Sequence, residues 1–204
     1  MLDKLAVVQI DSVNVVARAH ELPLWSRLGA HPRGALAEVA YRRREWFEYW
    51  AHAASYVPVE LHPHLRWRMA QAAGEAWGRM RRMQKERPGY VEAVYDEVRD
   101  RGPIAASELT DRGTTTGSWW GWADGKTAIE FLFWSGRVLV EGRGPNFERR
   151  YDLPERVLAP AVIDAPTPSI EEAHRTLLLR AARAHGVGTA RDLADYFRIK
   201  VPAA

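Results

Sequence analysis

The chain has no cysteine, which excludes disulfide scaffolds, cysteine nucleophiles and cysteine-bearing zinc sites. No apolar run approaches the roughly eighteen residues a membrane span needs. The start, Met1-Leu2-Asp3-Lys4-Leu5, lacks the basic segment and apolar stretch of a secretory signal. No glycine-rich phosphate loop precedes a helix, and no Gly-x-Ser-x-Gly elbow occurs. Charge of one sign is scarce too: 29 basic against 26 acidic side chains leave +3, with a pI of about 9.3. That balance permits nucleic-acid binding without demanding it. Lysine stands only at Lys4, Lys85, Lys126 and Lys200, so arginine supplies nearly all the positive charge. Arginine suits phosphate forks, and a GC-rich coding sequence produces the same bias. Together these absences describe a cytoplasmic protein that does not engage a membrane. Its 204 residues, 47% hydrophobic and 27% charged, exclude wholesale disorder and can bury one sizeable core or two small ones.

Residues 88–153 form the clearest unit. Val91, Val94, Tyr95 and Val98 make one apolar stripe, predicting a helix over 90–101 stopped by Gly102-Pro103. A second short helix is expected over 105–109. A third is expected over 122–135, with Ile129, Leu132 and Phe133 on one face and Gly136 as its terminator. The period then changes to two: Val138 and Val140, a turn over 142–146, then Phe147, Arg149, Tyr151 and Leu153 predict a hairpin with one buried face. Three helices and a hairpin are the order of a winged helix-turn-helix, whose third helix is placed to enter a major groove.

A weak repeat extends this reading. The run from Gly102 to Leu109 echoes the run from Gly186 to Leu193, and Ser169 with Glu172, like Thr189 with Asp192, has capping-box spacing. The expected fold is therefore mainly α with small β-hairpins (α+β), built as tandem winged helix-turn-helix domains. Residues 1–57 would be a partial first domain, 58–87 a helical connector and 88–153 a complete winged helix. Residues 154–169 would be a proline-rich, extended linker, and 170–204 the start of a further winged helix. In the connector, Leu65, Met69, Ala72, Ala76, Met80 and Met83 share one face. Arg66, Arg68, Arg79, Arg81, Arg82 and Lys85 share the other, a pattern that a solvated helix face also produces.

Few residues carry a chemical signal. His62 and His64 flank Pro63 with no third ligand at a familiar spacing, and His20, His31, His52, His174 and His185 are scattered, so no metal site is expected. Nine tryptophans are many. Trp119, Trp120 and Trp122 precede the third helix, where they plug the core or stack on a base. In the strand-like stretch from Gln9 to Val16, Gln9 and Asp11 share one face and Ile10 the other. A carboxylate beside an amide can orient a water and stabilise positive charge on a neighbouring sugar carbon, as cleavage of a base–sugar bond requires. Asp11 or Ser12 could equally cap a helix beginning at Val13.

Five phrases bear on that choice. They run Gln9 to His20 (QIDSVNVVARAH), Leu22 to Gly29 (LPLWSRLG), Glu48 to Ser55 (EYWAHAAS), Trp119 to Trp122 (WWGW) and Phe147 to Leu153 (FERRYDL). In this order they resemble the bacterial winged-helix DNA glycosylases of the AlkZ/YcaQ type, over about residues 8–199. The resemblance implies a DNA repair enzyme that removes alkylated bases, and in some members unhooks interstrand crosslinks. It implies Gln9 and Asp11 as the catalytic pair, reading as in the YcaQ-like branch rather than the branch with a second glutamine. Asp11 would stabilise the oxocarbenium-like sugar and accept a proton from the water that Gln9 holds. Without an amine nucleophile the enzyme would be monofunctional, leave an abasic site and need no cofactor. Arg18, His20, His52, Trp119, Trp120, Lys126, Arg143 and Arg149 are the expected DNA-binding residues. The expected partner is double-stranded DNA with alkylated bases, engaged by a monomer in the bacterial cytoplasm at the nucleoid. Set against the family pattern, helices before Gln9 and the completion of the last winged helix are missing, so the resemblance implies a chain truncated at both ends. The alternatives are a non-catalytic winged-helix DNA-binding protein, whether regulator or inactive fragment, and a helical interaction module that never touches DNA.

Overall fold

The computed structural model describes residues 2–114 and 123–200, which are mainly helical with small antiparallel sheets. The N-terminal segment runs α1 (Leu2–Leu5), β1 (Val8–Gln9), α2 (Leu22–Leu28), α3 (Ala35–Ala37, continued by a π-turn over Glu38–Arg42), β2 (Trp46–Trp50) and β3 (Ala54–Pro58). Next come α4 (His62–Ala70), α5 (Ala72–Glu75), α6 (Gly78–Glu86), α7 (Pro88–Arg101), β4 (Ile104–Ala105) and a 3-10 turn over Ala106–Glu108. Helix α8 (Asp124–Trp134), the hairpin β5 (Leu139–Arg143) and β6 (Arg149–Asp152), α9 (Pro154–Val157), α10 (Pro160–Ile163), α11 (Ile170–His185) and α12 (Ala190–Tyr196) complete the order. Two compact units result, Met1–Leu65 with Asp164–Ala204, and Arg66–Ile163. No helix among the described residues is long and apolar enough to cross a membrane.

The first unit is organised by the sheet β1–β3–β2, antiparallel throughout. Gln9 pairs with Ser55 and Glu48 with Tyr56. Every residue of β2 is buried, so this aromatic strand is covered on both faces, as continuous apolar runs require. Helix α11 packs against α1 and α12, burying Ala173, Leu177, Ala181 and Ala194, and the Tyr196 hydroxyl donates to the Leu5 carbonyl. Both expected capping boxes form: Ser169 Oγ accepts from Glu172 N at 3.2 Å, and Thr189 Oγ1 from Asp192 N at 3.2 Å.

The second unit has the helix–helix–helix–hairpin order expected over 88–153, with additions. The second helix shrinks to the 3-10 turn. A two-residue strand, β4, pairs with β6 (Ile104↔Tyr151), giving the sheet order β4–β6–β5. The hairpin is buried on both faces at its base, where Val138, Leu139 and Val140 are all enclosed, and its register shifts between Val140 and Gly142. Gly136 ends α8 as expected. Its φ of +70° belongs to the left-handed region, and Arg137 N reaches back to Leu132 O at 2.9 Å. A Cβ there would stand 2.5 Å from Met69 Sδ, so the position needs glycine twice over.

Two further expectations change. Residues 154–168 are not simply extended: Pro154 starts α9 with its φ already set, and Arg66 donates to the Val162 and Ile163 carbonyls at the end of α10 (2.8 and 2.9 Å). The connector, expected to be mainly helical, is three helices broken at Gln71 and at Trp77. Its apolar face is buried in full, but Arg68, expected on the solvated face, is also buried.

Helix α8 itself is enclosed on nearly every side, and it carries a carboxylate into the core. Glu130 is buried and meets Lys126 Nζ at 2.5 Å, Arg149 Nη1 at 2.8 and 3.0 Å, and the Tyr151 hydroxyl at 2.8 Å. Burial pushes the Glu130 pKa up, but the two cations and the donated hydrogen bonds outweigh it and hold the group below the usual glutamate value. Burial, and then the Glu130 charge, push Tyr151 well above the usual tyrosine value. A carboxylate depressed in the fold stabilises fully above its unfolded pKa of about 4.3 and loses that contribution as pH falls through its lower folded value. Thermal melts should therefore show a fall in stability below about pH 4 that is flatter in Glu130→Gln. At neutral pH that variant should be less stable by about 3–5 kcal/mol, because two partly buried cations lose their counter-charge. Equal melting curves for the two proteins at every pH would contradict this role.

Candidate active site

The Gln9–Asp11 stretch leaves the sheet in a defined way. Val8 and Gln9 pair with β3, and Ile10 N donates to Ala54 O at 2.8 Å. Ile10 is buried, Gln9 exposed and Asp11 half-buried, so the alternation read from the sequence holds and both polar side chains leave the core together. No helix begins at Val13. Instead Asp11 Oδ1 accepts the Val13 N–H at 2.8 Å, closing an Asx turn. The carboxylate caps a turn, not a helix, and the residues after it loop outward.

His20 fixes the other side. It is buried, and its Nδ1 lies 3.2 Å from Asp11 N and 2.9 Å from Asp11 O. With Nδ1 protonated the ring donates to the carbonyl, and with Nδ1 bare it accepts from the N–H, so either tautomer ties the imidazole to the Asp11 backbone. The His20 ring meets Tyr56 edge-on at 6.0 Å. Tyr56 in turn lies 3.3 Å, hydroxyl to hydroxyl, from Tyr41, which donates to the fully buried Glu48. Sequence reading passed over this Tyr41–Glu48–Tyr56 group. The signal was present: a lone acid inside Trp46-Phe47-Glu48-Tyr49-Trp50 cannot alternate out of a strand buried on both faces.

Gln9, Asp11 and His20 are the polar groups of one open pocket of about 230 Å³, with Val7, Val8, Ala19 and Pro23 among its apolar walls. An apolar recess with a few convergent polar groups, one a carboxylate and one an amide, can seat a planar base and hold water against an electron-poor carbon. Among the described residues no group of three histidines or carboxylates gathers as a metal site.

The other expected residues disperse. Arg18 is near the pocket, donating to Ser12 O at 2.7 Å. His52, exposed, meets Asp195 O at 2.8 Å. In the second unit, Lys126 and Arg149 converge on Glu130 instead of facing outward as free cations. Arg143 donates to Phe147 O at 2.8 Å and lies over the Phe147 ring at 4.1 Å. Trp119 and Trp120 lie outside the described residues. A pocket of about 490 Å³ opens along α6, lined by Arg79, Arg82 and Arg87 with the acids Glu86 and Asp124. Arg87 holds that carboxylate at 2.8 Å and Arg79 at 3.6 Å.

A solved structure shares the fold. The structure superposes on the Streptomyces sahachiroi DNA glycosylase AlkZ with a TM-score of 0.59 over 97% of this chain, at 17% sequence identity. That similarity is one of fold, and the chain spans 57% of the length of the Streptomyces protein. The description "DNA glycosylase AlkZ-like" matches residues 2–204. The chain belongs to the AlkZ-like DNA glycosylase family.

Proposed function

We propose that this protein hydrolyses the N-glycosidic bond of alkylated purines in double-stranded DNA, acting as a monofunctional glycosylase that leaves an abasic site. The carrying observation is the convergence of Gln9, Asp11 and His20 on one pocket at the edge of the β1–β3–β2 sheet. Alkylation of a purine ring nitrogen makes the base cationic and a good leaving group, so the protein's task is confined to the sugar and the water. Asp11 faces the developing oxocarbenium charge and takes a proton from water, while the Gln9 amide holds that water. His20 positions Asp11 through its backbone. Purines joined in an interstrand crosslink present the same bond, and the open mouth of the pocket supports acting on them too.

DNA is held by tandem winged-helix elements in this reading. Arg143 on the β5–β6 hairpin, Arg18, His52 and the α6 arginines reach phosphates, Trp119 and Trp120 supply stacking, and Lys126 and Arg149 set the hairpin through Glu130. The protein works as a monomer without a cofactor, in the bacterial cytoplasm at the nucleoid.

Asp11→Asn separates chemistry from folding. The asparagine Oδ1 can still accept the Val13 N–H, so thermal stability should change by less than about 1 kcal/mol. Base release from a duplex bearing one cationic alkylated guanine, read as strand breaks at the abasic site on a denaturing gel, should slow by about 100-fold or more. Affinity for the same duplex should stay within a few-fold and weaken as salt rises. Salt-sensitive binding with no base release by the parent protein would establish a DNA-binding module without catalysis. Binding to no DNA at all would favour a protein-interaction module.

A further inference from the structure

The turn that begins at Asp11 presents an unusual tip. Four ties hold its stem: Val13 N to Asp11 Oδ1 (2.8 Å), Ala19 N to Val13 O (3.0 Å), Arg18 Nη1 to Ser12 O (2.7 Å) and a bridge between Asn14 and Arg18. On this braced stem Val15 is 88% exposed and Val16 81% exposed. Adjacent β-branched apolar side chains held out into water need an account, because such groups ordinarily turn inward. A flexible loop would fold them back, and this stem prevents it.

The surroundings indicate the occupant. Val16 and Ala17 line a second recess of about 330 Å³ with Leu22, Trp25 and Arg33. Its one acid, Glu21, turns its carboxylate onto Gly34 N at 3.2 Å. Two arginines stand beside the apolar tip, Arg18 at the stem and Arg33 on the wall. Stacked bases between two phosphate strands offer the complementary pattern, apolar in the middle and anionic at the rims. Valine is suited to enter such a stack, since a single preferred χ1 leaves it little rotamer freedom to lose.

We propose that Val15 and Val16 form a wedge that enters the base stack of duplex DNA and holds open the gap left when the target nucleotide moves toward Asp11. Apolar wedges of this kind unstack a base step, and extrusion of a base carries that unstacking cost. The inference rests on the glycosylase reading for its purpose but not for its detection. The wedge turn starts at the Asp11 carboxylate itself, so insertion and positioning of the carboxylate are one event.

The test uses the full chain and a duplex carrying N7-methylguanine with 2-aminopurine as its 3′ neighbour, whose fluorescence rises on unstacking. The parent protein and Asp11→Asn should both brighten the probe on binding. Val15→Ser combined with Val16→Ser should abolish the brightening, and Val15→Leu combined with Val16→Leu should retain it. In the serine variant the ratio of single-turnover base release on duplex to that on the same strand unpaired should fall by about 10-fold or more, because only the duplex must be opened. A serine variant that brightens like the parent overturns the proposal. So does a ratio that holds while both rates fall, since the loop would then only support Asp11. Self-association of the parent lost in the serine variant would assign the tip to a second copy instead. Brightening without base release by the parent protein would end the catalytic reading and leave the wedge standing. Base release without brightening would do the reverse.

Discussion

The hydrogen bond from Ile10 N to Ala54 O, with the Gln9–Ser55 pairing beside it, is the constraint on which the candidate site depends. Side chains alternate in a strand, so a slip of one residue would exchange the faces. Ile10 would point outward, and Gln9 and Asp11 would turn onto the face that holds Val8, Tyr56 and the fully buried Glu48. Burying an unpaired carboxylate is far more costly than exposing one isoleucine, so the register of a two-residue strand is fixed by the residues it must keep out. Beside it Glu48 lies opposite Tyr56 and receives the Tyr41 hydroxyl, so the buried acid is answered by the turn that follows α3. His20 then joins that assembly to the Asp11 backbone. The position of the carboxylate is thus set by backbone groups on β1 and β3 and by the His20 ring in the turn before α2.

The second unit uses charge for a different end. Lys126 and Arg149 look like nucleic-acid contacts in the sequence because one begins the third helix and the other sits on the hairpin. Packing α8 into the core brings Glu130 with it, and that carboxylate requires both cations. An arginine neutralised this way contributes little field at the surface, yet it anchors β6 to α8 and so fixes where Arg143 sits. The basic character of this unit is therefore carried by the hairpin and by α6, where Arg79, Arg82 and Arg87 together outnumber the acids of their pocket.

Much of the fold was legible because local signals agreed with each other. The stripe of Val91, Val94 and Val98, the terminator at Gly136 and the two capping boxes each rest on contacts within a few residues, and each formed. The failures have a common cause. The strand β4 is two residues long and exists only because Tyr151 lies beside Ile104, a pairing across 47 residues that no local pattern announces. The 154–168 stretch reads as extended from its prolines, but Pro154 opens a helical turn and Arg66, nearly a hundred residues earlier, satisfies the carbonyls at the end of α10. In the site, the shared outward face of Gln9 and Asp11 followed from period-two alternation. His20 as the partner of Asp11 did not, because a contact across nine residues of irregular loop has no periodicity. Family membership rests on a match over residues 2–204, not on any of these elements alone.

The loop from Asp11 to Arg18 shows how chemistry and architecture constrain each other here. A capped helix at Val13 would have been the locally satisfactory solution, with Asp11 or Ser12 closing its first turn and the valines packed along it. The chain instead spends the Asp11 carboxylate on a single Asx turn and leaves Val13, Val15 and Val16 exposed. A structure selected for stability alone has no reason to prefer this, since each exposed valine forgoes hydrophobic stabilisation of about 1.5 kcal/mol or more. What the looped form provides is a carboxylate held at the pocket by backbone contacts on both sides, with its Oδ1 already oriented, and an apolar tip standing clear of the surface. Departures from local preference that the surrounding contacts over-determine are found where a protein acts on something else. By that criterion the Asp11 turn, more than the pocket behind it, is where we propose that this molecule meets its substrate.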